Sequence, residues 1–177
     1  YDENGHNRYY GYGRVDAYSA VREAKAREGE EDGTSNVEYI VNVEKGWNLL
    51  SVPVKKTLHY KDFFDYFERD SQIVSLIGQE YNYYTKVLYP TQGFWLHSNR
   101  KYDVSFEGLD YNVSIDEYNL EIGWNIIGYG ADSNASAIKT ETTSKLIHTY
   151  DASKNEWIFT PTDITRGQGI FLYKETL

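Results

Sequence analysis

The sequence predicts a mainly β protein: two pseudo-repeats forming an antiparallel β-sandwich or paired small barrels, with one N-terminal α-helix and one short helix near residues 60–69. Three observations carry this. Eighteen Tyr, seven Phe and four Trp in 177 residues, joined by many Val, Ile and Thr, are the composition of pleated, half-buried surfaces. Apolar and polar residues alternate with period two through several segments, as in KYDVSFEG, where Val104 and Phe106 share one side. Finally, the chain repeats itself. VEKGWNLLSVPV (43–54) returns as LEIGWNIIGYGA (120–131) at an offset of 77, and QGFWLHSN (92–99) returns as QGIFLYKE (168–175) at an offset of 76. Two landmarks in one order and at one spacing indicate a duplicated unit whose copies can bury a face that neither could bury alone.

In chain order, Val15, Tyr18, Val21 and Ala24 fall at three-residue steps and define a narrow apolar helical stripe over residues 14–28. The segment EGEEDGTSN (28–36) follows, without an apolar residue, and reads as a solvated linker. The first repeat is expected over 37–101 and the second over 102–177. Each comprises a GWN strand, a variable excursion, a hairpin and a closing strand. In the first excursion Tyr60, Phe63, Phe64 and Phe67 stand at i, i+3, i+4 and i+7, which predicts a short amphipathic helix. In the second, DSNASAIKTETTSK offers little to bury, so a loop with at most one helical turn is expected. The hairpins fall at SLIGQEYNYYTKV (75–87), turning at Gln79 and Glu80, and at KLIHTYDASKNEWIFT (145–160). Between the repeats, KYDVSFEG and YNVSIDEYNLEI, the latter with Val113 and Ile115 on one side, read as antiparallel strands. In the repeated triplet, Gly allows a bend where the strand begins, Trp fills the space between repeats and Asn ties the turn through its amide.

Composition narrows the function classes. A net charge of −9 spread along the chain argues against the phosphate attraction on which nucleic-acid binding rests. No apolar run approaches the roughly 18–20 residues of a membrane-spanning helix. The chain has no Cys, hence no disulfide, thiolate metal site or thiol nucleophile. It also has no Met, so a processed product or fragment is expected. His6, His59, His97 and His148 are scattered, without a partner at metal-ligand spacing on a helix face. His97 aligns with Tyr173 and reads as a strand position with a polar tip.

The run GYGRVDAYSAVREA (11–24) resembles the last turn and C-terminal helix of subtilisin-like serine protease domains (subtilases, peptidase family S8). The resemblance covers residues 1–27, which are then the C-terminal stub of a catalytic domain. It implies a parent that hydrolyses peptide bonds with an Asp/His/Ser triad lying upstream. The motifs carrying that triad, HGT and GTSMAxP among them, do not occur in this chain, so it holds no catalytic residue. GTSN (33–36) begins like the nucleophile motif but continues as NVEY after a polar linker, and Ser35 is read as linker. Subtilases often bind calcium, and YDENGHN (1–7) offers Asp2 and Asn4 as the calcium candidates, although an EF-hand loop starting at Asp2 would place Gly13 where the twelfth-position Glu belongs. No other cofactor is implied. The GWN strand followed by a QGFW-type strand resembles tandem β repeats at the C-terminal ends of secreted bacterial proteins, over about residues 40–175. Together these resemblances imply a noncatalytic accessory region of a secreted or cell-surface bacterial protease, with the protease domain as its partner in the parent.

The remaining candidates are aromatic. Tyr81, Tyr83, Tyr84 and Trp157 lie around the two hairpins, with Tyr89 nearby, where rings can grip polysaccharide, cell envelope or protein side chains. Period two puts Tyr81 and Tyr83 on one face and Tyr84 on the other, so one set is expected in the core. A carbohydrate- or surface-binding module requires an exposed coplanar aromatic pair that includes Trp157; a structural spacer requires none. Asn112 and Asn134 head glycosylation sequons.

Overall fold

The computed structural model describes residues 36–77, 79–110 and 120–175. The chain divides into two units, Tyr1–Gly33 and Thr34–Leu177; the expected helix at 14–28, Ser35, the calcium candidates Asp2 and Asn4, and the strand expected at 111–119 lie outside the described residues. The second unit is mainly β and contains both repeats.

In the first repeat, β1 (Asn36–Val43) leads into the GWN strand β2 (Gly46–Ser51), then β3 (Leu58–His59), a 3-10 turn (Tyr60–Asp62) continuing as α1 (Phe63–Tyr66), the hairpin β4 (Gln72–Ile77) and β5 (Glu80–Asn82), β6 (Val87–Leu88), the closing strand β7 (Gly93–Ser98) and β8 (Tyr102–Leu109). The second repeat runs through β9 (Gly123–Gly128), β10 (Ser133–Asn134), α2 (Ala135–Glu141), the hairpin β11 (Leu146–Asp151) and β12 (Glu156–Ile158), β13 (Asp163–Ile164) and β14 (Gly169–Lys174). The two main sheets have one topology, β2-β7-β4-β5 and β9-β14-β11-β12, all pairs antiparallel. Their registers coincide: Trp47 stands opposite His97 as Trp124 stands opposite Tyr173, and Leu50 opposite Phe94 as Ile127 opposite Ile170.

The repeated triplet accounts for the strand starts. Gly46 and Gly123 have φ of 99° and 104°, a left-handed conformation that a Cβ disfavours. Two residues on, Asn48 Oδ1 accepts the Glu44 N–H at 2.8 Å while its Nδ2 donates to Glu44 O at 2.8 Å and Gly46 O at 3.1 Å. Asn125 repeats all three bonds with Glu121 and Gly123, at 2.9, 2.9 and 3.1 Å. Each amide thus closes the bend before its strand, satisfying backbone groups that the turn would otherwise leave without partners.

Each sheet covers its own core with one face. Beneath β2 and β7, Leu50, Phe94 and Leu96 pack with Leu58, Leu88, Phe63 and Phe67; beneath β9 and β14, Ile127, Ile170 and Leu172 pack with Ala135, Ile138, Ile147 and Ile164. The pattern expected at 60–69 is helical but brief: Phe63 and Phe67 are buried, whereas Tyr60 and Phe64 remain exposed. The second excursion corrects the expectation of a loop. Asn134 Oδ1 accepts the Ser136 N–H at 2.8 Å and caps a seven-residue helix whose Ala135 and Ile138 alone reach the core. Two buried residues one turn apart suffice once a cap and a neighbouring sheet fix the helix, a tertiary effect that apolar periodicity undercounts.

Residues 102–109 also differ from expectation. Rather than opening the second repeat, β8 pairs along its whole length with β1, from Asn36 opposite Leu109 to Val43 opposite Tyr102, and buries Val104 and Phe106 in the first core. The alternation that places Val104 and Phe106 on one side is correct; its partner strand is β1.

The repeats are joined about a pseudo-two-fold axis. The Ser51 N–H donates to Gly167 O at 2.8 Å, and at the equivalent positions the Gly128 N–H donates to Thr91 O at 3.1 Å; Leu50 bridges Gln168 as Ile127 bridges Gln92. A Cβ on Gly93 would lie 2.6 Å from Ile127 O, and one on Gly169 would lie 2.7 Å from Leu50 O. The repeated QG dipeptide therefore marks where the backbone of each copy approaches the other. Arg166 adds an asymmetric tie: its Nε donates to Pro53 O at 2.5 Å and its Nη1 to Tyr39 Oη at 2.9 Å, it pairs with Asp110 at 2.5 Å, and its guanidinium lies 4.2 Å from the Tyr39 ring centroid.

Candidate functional site

Because side chains alternate along a strand, the residues between the core positions form a second face on each sheet. On the first sheet this face carries Trp47, Trp95, His97 and Val74; on the second it carries Trp124, Phe171, Tyr173, His148 and Tyr150. The two aromatic faces meet where Trp95 packs against Tyr150 and Trp157, with ring centroids 5.2 and 5.5 Å apart. Around Trp124 the rings of His148, Phe171 and Tyr173 each close on the indole, with centroids 5.0–5.5 Å from it. Around Trp95 they do not close. A cleft of about 320 Å³ remains, with Trp47, Tyr81, Tyr83 and Trp95 from the first repeat, Tyr150 and Trp157 from the second, and Val74 completing the lining.

Six rings from two repeats make this the candidate site. A larger hollow of about 490 Å³ is lined by the first helix and hairpin alone, including Phe64, Arg69, Tyr84 and Lys86; it joins no residues from the second repeat. Tyr83 lines both hollows and forms the ridge between them.

The cleft is uncharged, its lining carrying no carboxylate, imidazole, amine or guanidinium. Burial, then the neighbouring Tyr83, raise the Tyr81 phenol above its usual range, with a Trp95 hydrogen bond opposing them. Burial also raises Tyr150, whose hydroxyl donates to Asn155 Oδ1 at 2.6 Å. Both phenols are neutral near pH 7. The lining thus presents aromatic surface, indole N–H groups and phenols to whatever enters it. At the rim, Trp157 and Phe159 are exposed, and their ring planes are 20° from parallel at 6.5 Å.

Of the residues the sequence singles out, Tyr81, Tyr83 and Trp157 come together in the cleft, while Tyr84, 86% exposed, faces the other hollow. The expectation that one set of hairpin tyrosines is core is not met: all three are exposed, Tyr81 on the edge strand β5 and Tyr83 and Tyr84 just beyond its end. Trp47 faces the other repeat without being sealed between the sheets; it is 36% exposed and packs edge-on to Trp95 and His97. His97 is a half-buried strand residue against Trp47. Trp95 and Tyr150 are cleft residues that sequence reasoning missed. The available signal was strand alternation: Trp47 stands opposite His97, and Trp95, two residues before His97, shares its face.

A residue outside the cleft also joins the copies. Gln79, expected only as a turn residue, accepts the Trp124 N–H at 2.9 Å and donates to Trp124 O at 3.1 Å, standing in for a further strand against β9. Asn134 of the second sequon is engaged as the α2 cap. Among the described residues, no group of three or more His, Asp or Glu side chains is placed to hold a metal ion, and no helix is long and apolar enough to cross a membrane.

Compared with protein-family models, curated proteins and solved structures, the chain matches none.

Proposed function

We propose that this chain is the noncatalytic C-terminal accessory region of a secreted subtilisin-like serine endopeptidase, and that its paired repeats form a binding module for carbohydrate or cell-surface material. The observation that carries the binding reading is the uncharged cleft lined by six aromatic rings drawn from both repeats. Open aromatic concavities of this kind are uncommon where rings serve packing alone, as those around Trp124 do. The near-parallel, exposed Trp157 and Phe159 at its rim favour binding over a spacer, which has no use for such a pair. The protease parentage rests on the GYGRVDAYSAVREA resemblance. In that setting the module holds the enzyme near its substrate, raising local concentration without new catalytic contacts.

The test is retention of the full chain on insoluble polysaccharides and cell-envelope fractions. Trp157→Ala and Tyr81→Ala, both at exposed positions, are expected to cut retention by about tenfold, since a lost ring contact is worth roughly 1–2 kcal/mol; Tyr84→Ala leaves it unchanged. Equal retention of all three variants and the unaltered chain removes the binding reading and leaves the spacer. The parentage is tested separately by the reading frame upstream of Tyr1, where HGT and GTSMAxP are expected.

A further inference from the structure

We propose that the cleft between the repeats is an aromatic cage for an alkylammonium group, a quaternary or fully methylated amine carried by the ligand. The inference rests on the reading of this cleft as a binding site and names the chemistry it selects.

Ring orientation comes first. Trp47 and Trp95 are inclined at 87°, Trp95 and Tyr150 at 74°, Trp95 and Trp157 at 79°, and Tyr150 and Trp157 at 75°. A flat sugar ring is held on a floor of parallel faces, and the near-parallel pair beside the cleft, Trp157 with Phe159, includes a ring that does not line it. Steeply inclined rings form the walls of a box, suited to a compact, roughly spherical group.

The chemistry of the walls agrees. Sugar recognition needs several oriented hydrogen-bonding side chains. Here the lining offers only indole N–H groups and phenols, and the Tyr150 hydroxyl is already committed to Asn155. Ring faces are the negative ends of aromatic quadrupoles, and Trp is the strongest among them; three of the six rings are Trp. An onium group donates no hydrogen bonds, so the neutral lining leaves none of its needs unmet. No lysine or arginine lines the cleft to repel it, and the chain's net charge of −9 draws cations toward the surface. At about 320 Å³ the space holds a trimethylammonium head together with part of the chain that bears it.

The experiment titrates the full chain with choline chloride, its neutral carbon isostere 3,3-dimethylbutan-1-ol and a soluble oligosaccharide, at matched ionic strength, by tryptophan fluorescence and calorimetry. Choline is expected to bind at least about tenfold more tightly than the isostere, the difference being the cation–π contribution. Trp157→Ala is expected to abolish that preference, whereas Tyr84→Ala keeps it; Trp157 is exposed, so its variant folds, and the isostere comparison needs no variant at all. Equal binding of choline and isostere overturns the cage in favour of a plain apolar cleft. Binding of the oligosaccharide without choline overturns the cage but leaves the module reading intact. Failure of all three overturns the cage, and if joined by unchanged retention on envelope fractions it takes the module reading with it.

Discussion

Replacing Asn48 and Asn125 by alanine, one at a time, separates what the GWN triplet does from where it sits. Both side chains make the same three local bonds to the turn before their strand. Asn48 is 1% exposed, so Asn48→Ala removes a buried amide and leaves the part-buried Glu44 N–H and O without their partner. At roughly 1 kcal/mol for each lost bond, plus the desolvation of groups left unpaired, the loss is about 3 kcal/mol. Asn125 is only half-buried, and water replaces its bonds, so Asn125→Ala costs about 1 kcal/mol. With a urea dependence of about 2 kcal/mol per M, the unfolding midpoint falls by about 1.5 M for the first variant and about 0.5 M for the second. Equilibrium urea unfolding followed by tryptophan fluorescence and far-UV circular dichroism reads both. Equal shifts, or the larger shift at Asn125, would refute the reasoning that burial rather than the motif sets the cost.

Gly93→Ala and Gly169→Ala place a methyl within 2.6–2.7 Å of a backbone oxygen of the other repeat, and each is expected to lower stability by about 2 kcal/mol or more, read as a drop in melting temperature. Arg166→Ala removes a guanidinium, only 6% exposed, from Pro53, Tyr39 and Asp110; a loss of about 3 kcal/mol is expected, with Arg166→Lys recovering little of it because an ammonium cannot reproduce the fork. The Lys154 ammonium, then Ser153, hold the Asp151 carboxyl down to about 2, so its contribution to stability is present above the ordinary carboxylate pKa near 4 and is lost as pH falls from about 4 through about 2; a carboxyl-detected NMR titration showing Asp151 protonating near 4 would contradict that turn geometry.

The repeat, the strand class and the roles of Gly and Asn in the triplet were legible because each is a local property: a spacing, a period, a backbone conformation, a side chain reaching two to four residues away. What could not be read is long-range. That β8 pairs with β1 depends on a contact between Tyr102 and Val43, and either neighbour satisfies the same alternation. The helix α2 buries only two residues, Ala135 and Ile138, and the sheet beneath it does the rest. The cleft was legible in part. Tyr81, Tyr83 and Trp157 stand out as aromatics at hairpins, but their union with Trp95 and Tyr150 follows from the pseudo-two-fold packing, which the sequence records only as the unexplained glycine of its QG dipeptides.

We propose that the open half of the inter-repeat aromatic face binds and the closed half packs. The four tryptophans report on it separately through their indole ¹⁵N–¹H resonances, assigned by single Trp→Phe replacement and followed while choline or a soluble envelope fragment is added to the full chain. Trp47, Trp95 and Trp157, which line the cleft, are expected to shift together along one saturable curve while Trp124, packed against His148, Phe171 and Tyr173 outside it, stays in place. No saturable shift in any of the three, or a shift confined to Trp124, would contradict it.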